Sequence, residues 1–316
     1  MASLREQVRE ELLGYWKDGF YKYKYSDDYR YYVKEVKDNL FGEEMSLKHL
    51  KMFENGSGSE LEDKKTPAKA KAIDSSSMLS YNFFRYIDES HPLEIDEIEY
   101  DKVFFEVKLR TLKTRSNPAN IDVVLVSKDR KTILFIESKF LEYIESGSAF
   151  FSESYKKEVS YYSYSDNKVD VKDLLEISNN FVNKRGHYNY GIKQNICHLI
   201  GISNLKNSQA AQKWFINTYR KKYKDVYTDS DIDVFVNPKT TFRFMNLIFC
   251  PKNEKAKKAY ENYRKDLEEF WKSLPPVIKE FIRTPFIMTY RDLFNKLPNE
   301  LKVRGNLEER YIEYHS

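Results

Sequence analysis

Two short apolar segments, Ile121 to Val126 and Thr132 to Ile136, flank the polar run Ser127 to Lys131. They predict a hairpin of two strands covered on both faces, because neither segment alternates apolar with polar residues as a half-exposed strand does. An acid inside such a strand is costly unless something pairs with it. Asp122 stands in the first strand, and the second runs on into Glu137, Ser138 and Lys139. Side chains alternate across a strand, so Glu137 and Lys139 share a face. Ser138 points the other way, and its carbonyl stays available.

Those residue types suit one kind of chemistry. Magnesium prefers near-octahedral oxygen ligands and keeps several waters, so Asp122, Glu137 and the Ser138 carbonyl suffice to hold it against a phosphate. The ion polarises phosphoryl oxygens and acidifies a bound water, which is what hydrolysis of a phosphodiester needs. Lys139 can position or deprotonate that water, or offset charge as the phosphorane forms. Beside two carboxylates it stays protonated, so the electrostatic role is as strong as the base role. A bare Glu-x-Lys is common by chance; the buried Asp122 makes this one informative.

Asp122, Glu137-Ser138-Lys139 and the hairpin between them resemble the PD-(D/E)xK nuclease superfamily, within it the bacterial putative restriction endonucleases. Pro118 departs from the strict pattern, standing four residues before Asp122 rather than beside it. Ser75 to Phe84 is similar to the helix that precedes the catalytic strands in that group, and Ile192 to Leu199 to the glutamine-bearing helix of the exonuclease branch. The resemblance implies an α/β fold with a restriction-endonuclease-like mixed central sheet flanked by helices and helical additions at both ends. It implies a Mg2+-dependent DNA endonuclease, with Mn2+ able to substitute, in restriction or antiphage defence. Double-stranded DNA, a homodimer and a cognate methyltransferase are the partners it suggests.

Accessory residues follow from the same resemblance. Glu106 sits where the group often carries another acid and is a candidate metal ligand; in its strand it could equally alternate with buried residues. Glu142 is similarly placed, or serves a helix start. Gln194 is a candidate catalytic residue that orients the site or touches phosphate. His198, four residues on, shares its helix face and reads more readily as a satisfied histidine. Tyr188 and Tyr190 read as packing residues.

Between Lys206 and Lys224 there are six basic residues and no acid. As one helix, Lys206, Lys213, Arg220 and Lys224 fall on a single face, with Trp214, Phe215 and Tyr219 opposite. They are the candidate nucleic-acid-binding residues, set against the reading of an ordinary solvated face. The run Tyr21 to Tyr25, tyrosine alternating with lysine, could stack on bases but reads more simply as core and surface.

Three segments are expected: a helical region with a polar linker over residues 1–72, a nuclease core over 73–250 and a C-terminal helical region over 251–316. Residues 54–71 read as a mobile connection. Ile232 to Val236 and Phe242 to Phe249 read as strands, and 199–203 as a possible one. The chain is 316 residues with a net charge of +4, so binding to nucleic acid would use local patches rather than a global field. Cys197 and Cys250 lie in apolar contexts and suggest free thiols, and no apolar run is long enough to cross a bilayer. A cytoplasmic protein is expected, without membrane contact. Two other readings stay open: an inactive nucleic-acid-binding protein on the same scaffold, or a nuclease acting on single-stranded DNA or RNA.

Overall fold

A turn built from side chains sets the register of the central hairpin. Ser127 Oγ accepts the backbone N–H of Thr132 at 2.9 Å and donates to Asp129 Oδ1 at 2.6 Å, while Asp129 accepts from the Lys131 N–H at 3.0 Å. Arg130 takes the left-handed φ of 62° that closes the turn. The structure is a computed structural model that describes residues 2–18, 25–54, 60–113, 117–145, 149–162, 171–181, 190–304 and 306–316. Tyr21, the linker residues Asn55 to Ser59 and Tyr188 lie outside the described residues.

Helices α1 (Leu4–Asp18), α2 (Leu47–Glu54) and α3 (Ser76–Phe84) precede strands β1 (Leu93–Ile95), β2 (Ile98–Leu109), β3 (Ala119–Ser127) and β4 (Thr132–Lys139). Then come α4 (Val171–Ser178), α5 (Tyr190–Asn207), α6 (Gln209–Lys222) and α7 (Asp229–Val236), followed by β5 (Thr241–Ile248). The chain closes with α8 (Glu254–Ser273), α9 (Pro276–Phe281), β6 (Ile282–Thr289), α10 (Tyr290–Lys296) and α11 (Asn299–Arg304).

The six strands form one mixed sheet in the order β1-β2-β3-β4-β5-β6. β1 to β4 are antiparallel neighbours, whereas β5 and β6 add in parallel after helical crossovers. β4 is buried along its whole length, as its apolar run predicts. Ile133, Leu134, Phe135 and Ile136 are fully covered, and each such side chain contributes roughly 1.5–3 kcal/mol of burial. α3 packs on β3 and β4, and α5 on β2 and β3. Gly201 lets α5 approach closely: a Cβ there would stand 2.8 Å from Leu109 Cβ. This is the mixed α/β architecture expected of a restriction-endonuclease-like fold.

Several local expectations are corrected. Ile232 to Val236 is part of α7 rather than a strand, because Thr228 and Asp231 cap it reciprocally and bury Ile232 and Phe235 one helical turn apart. Residues 199–203 continue α5. Residues 282–289, expected to be helical, form edge strand β6; Pro285 falls at the register shift opposite Phe244, where a missing N–H does least harm. Residues 60–71 are tied down rather than mobile: Ala70 N–H donates to the Glu60 carbonyl at 2.9 Å and Ala68 N–H to Asp63 at 2.8 Å.

Candidate active site

Strand register brings three acids level. β2 and β3 pair Phe105 with Val123 and Val107 with Ile121, which leaves Glu106 abreast of Asp122. β3 and β4 pair Val123 with Ile136, and one step further sets Asp122 abreast of Glu137. Glu106 adopts a φ of 55° within its strand, a costly conformation that persists where surroundings impose it. The Asn120 amide donates to Glu106 Oε2 and holds it there.

The β3–β4 ladder opens at this row. Past Val123 and Ile136, the Ser138 N–H donates to Asp122 Oδ2 at 2.7 Å. On the opposite face the Ser138 hydroxyl meets the Tyr290 hydroxyl at 2.6 Å and donates to the Ser76 carbonyl at 3.3 Å. The tip of β4 is thereby fastened to α3 and α10.

Glu137 and Lys139 do share a face and form a buried ion pair. Burial disfavours the Lys139 ammonium, but Glu137 and then Asp122 outweigh it and raise its pKa. Burial, followed by the charge of Glu137, raises the Asp122 carboxyl well above the usual range against the pull of Lys139. Glu106 is pushed up to about 8, by burial first and by Glu60 second. His198 is buried with Nδ1 3.3 Å from Glu137 Oε2, and burial lowers its pKa.

Part of this cluster faces a cavity of 470 Å3, which Glu137 and His198 do not line. Asp122, Glu106 and Lys139 line its sheet side, Gln194 of α5 adds an amide, and Arg5 and Arg9 of α1 form the far wall. Glu142 also lines it, with Oε2 accepting from the Phe140 N–H at 2.7 Å. Among the described residues, Glu137 Oε2, Asn120 Oδ1 and Gln194 Oε1 are buried without a hydrogen bond, although His198 Nδ1 lies near the first. Among the described residues, no three His, Cys, Asp or Glu side chains converge as a group able to hold an ion.

Behind the row, α5 is held by amides. Asn246 of β5, register partner of Glu137, donates to Asn195 at 3.0 Å, and Asn195 donates to the Gly191 carbonyl at 2.9 Å. That aims Gln194 and His198 at the sheet. Tyr263 of α8 packs so closely on Gly191 that a Cβ there would strike its ring.

The basic stripe beyond α5 is not one helix, since α5 ends at Asn207 and Ser208 caps α6 afresh. Lys206 donates to the carbonyls of Pro238 and Thr240, both at 2.7 Å, and half-burial lowers its pKa. Arg220 pairs with Asp229 at 2.8 Å, Lys213 is exposed, and Lys224 lies past the end of α6. None of the four lines the cavity. Sequence reasoning missed Arg5 and Arg9; only their spacing of four on a helix was a signal, and it marked no partner.

A sequence profile of the family described as restriction endonuclease associating with ARP matches residues 2–194. The chain belongs to that family. It is therefore a nuclease-like protein, and the resemblance first carried by Asp122, Glu137 and Lys139 stands on a match of more than half the chain. The match takes in every residue lining the cavity, from Arg5 to Gln194, and ends before Lys206. No curated protein and no solved structure matches the chain. Among the described residues no helix is long and apolar enough to cross a membrane.

Proposed function

We propose that this chain is a metal-dependent endonuclease that hydrolyses DNA phosphodiester bonds in restriction or antiphage defence. The observation that carries the reading is the row of Glu106, Asp122 and Glu137 beside Lys139, of which Glu106, Asp122 and Lys139 line a cavity. The donors fit a hard cation: they are oxygens without thiolates, and among the described residues Glu137 Oε2, Asn120 Oδ1 and Gln194 Oε1 accept no hydrogen bond. Asp122, Glu137 and the Ser138 carbonyl would hold it, with Glu106 next to them.

Magnesium or manganese would supply Lewis acidity toward the phosphate and a more acidic water. The residues do the rest. Lys139 keeps its proton, so it acts as a cationic donor toward the phosphoryl oxygens when Glu137 turns from it. Gln194 offers an amide that orients water or phosphate in the cavity. The Ser138 N–H fixes the Asp122 carboxylate, sparing an ordering cost at the moment of reaction.

One observation favours a second reading, nucleic-acid binding without turnover: Glu137 is 1% exposed, with one oxygen on Lys139 and the other against His198. Incubating supercoiled plasmid and phage DNA with the protein, in magnesium against EDTA, decides between them. Metal-dependent fragments that the Lys139→Ala protein makes on the order of 10²–10⁴-fold more slowly support the nuclease. Binding without cutting supports the second reading, and the next trial then adds an associate of the kind the family description names, ARP.

A further inference from the structure

The far wall of the cavity is built around one buried acid that carries two cations. Asp74 is 2% exposed and stands just before the Ser75 that caps α3. Arg5 Nε and Nη2 donate to its Oδ2 at 3.0 and 2.7 Å, and Arg9 Nη2 donates to Oδ1 at 2.7 Å. Asp74 neutralises one guanidinium, and the charges of Glu142 and Glu145 also act on Arg5, so two guanidiniums are held side by side on a single buried carboxylate. Each side chain retains a fifth to a quarter of its exposure, and both line the cavity. Arg9 also lies over the Tyr31 ring at 5.3 Å, and among the described residues its Nε has no hydrogen-bond partner.

Two arginines fixed on one aspartate is a poor way to stabilise a fold. Freezing each long side chain costs up to about 2 kcal/mol of rotamer entropy, and a single bidentate arginine would satisfy Asp74. The arrangement makes sense as preorganisation for an anion. Glu60, Glu106, Asp122 and Glu142 line the same cavity, so a phosphate entering it needs cations that offset whichever of these acids are ionised. Guanidinium groups match phosphate oxygens in shape and charge. Ser75 and Ser77 at the start of α3 line the same cavity, with the Ser77 hydroxyl donating to Glu60 at 3.1 Å. Lys206 and Arg220 of the basic stripe are likewise engaged by the protein's own carbonyls and acids, but they do not line the cavity.

We propose that Arg5 and Arg9 form a phosphate clamp, gripping the backbone phosphate next to the one attacked beside Asp122 and Lys139. The inference rests on the nuclease reading for what happens at the carboxylate wall, but not for the clamp itself. It makes α1 part of the substrate site.

The test is binding of fluorescent duplex and single-stranded oligonucleotides in EDTA across a salt series. It compares the unchanged chain, Arg9→Gln, Arg5→Gln with Arg9→Gln, and Arg5→Lys with Arg9→Lys. Each cation withdrawn from a phosphate lowers the slope of log affinity against log salt by about 0.7–0.9, so the double Gln protein should bind more weakly with a visibly shallower slope. The double Lys protein should keep the slope and lose part of the affinity, because its charge remains and the planar fork does not. If the double Gln protein fails to fold, Arg9→Gln serves, since Asp74 keeps both bonds from Arg5. Unchanged affinity and slope in the Gln proteins, or no binding by the unchanged chain, overturns the clamp. Cutting in magnesium that ignores these substitutions also overturns it and leaves the nuclease standing. Arginine-dependent binding without any cutting keeps the clamp and removes the turnover.

Discussion

The backbone N–H of Ser138 donates to the Asp122 carboxylate at 2.7 Å, replacing a ladder bond between the two strands that carry the candidate site. An unpaired buried N–H costs on the order of 1–3 kcal/mol, so Asp122 both repairs the opening in the sheet and is oriented by it. A side chain that serves the backbone at this point is fixed before any substrate arrives.

The Glu137–Lys139 pair separates stability from activity. Lys139→Met strands a buried carboxylate and should cost roughly 3–5 kcal/mol in denaturant unfolding. Combining it with Glu137→Leu should restore most of that loss while DNA cutting stays abolished. Recovery of cutting in the double variant would show that the pair is not the reacting machinery.

Cation binding is expected to appear as thermal stabilisation. A cation at 100 times its dissociation constant stabilises a folded protein by about 2.7 kcal/mol. Magnesium, or calcium as an inert probe, should raise the melting temperature of the unchanged chain and leave Asp122→Asn unmoved. Equal shifts in both proteins would mean that the cation binds elsewhere.

His315 predicts a loss of stability in acid. Its Nε2 accepts the Cys250 N–H at 3.2 Å, and burial lowers its pKa from 6.5 to about 4. Between those values the unfolded chain binds a proton that the native ring refuses, so its stabilisation is complete above about pH 6.5 and is lost as pH falls toward 4. The loss is on the order of 2–3 kcal/mol. Urea midpoints measured across this range for His315→Gln should fall less steeply than those of the unchanged chain; parallel curves would sink the assignment. His49, half-buried against Tyr81 and Phe105, is lowered to about 4 as well and adds a change of the same sign.

Two glycines on helices should answer alanine in opposite directions. Gly14 of α1 is exposed and a Cβ there meets nothing within 4 Å, so Gly14→Ala should stabilise by about 0.4–1 kcal/mol. Gly191→Ala would force Tyr263 away from α5 and should destabilise by about 1–3 kcal/mol. Because Gln194 lies one turn further along α5, that variant should also slow cutting, which activity at matched folded concentration would reveal.

The hairpin and the placement of its charged residues were legible in the residues themselves. The apolar runs on either side of Ser127 to Lys131 specify buried strands through their nearest neighbours alone, and period two then settles that Glu137 and Lys139 share a face. The reading of Ile232 to Val236 failed although its signal was local: the Thr228 and Asp231 cap outweighed a β-branched composition. Strand β6 failed for a different reason, since Pro285 argues against a strand until an edge position and a register shift are available for it.

What no local pattern holds is which distant groups meet. Arg5 and Arg9 lie 69 and 65 residues from Asp74, and α5 reaches the sheet through Asn195 and Asn246, 51 residues apart. Lys206 looked like part of a free basic face until the carbonyls of Pro238 and Thr240 took its ammonium. By itself the sequence determined the two hairpin strands and the shared face of Glu137 and Lys139, because alternation is a property of adjacent residues. Only the tertiary structure decided the second wall of the cavity, because buried charges pair with whatever the packing of the whole chain brings within reach.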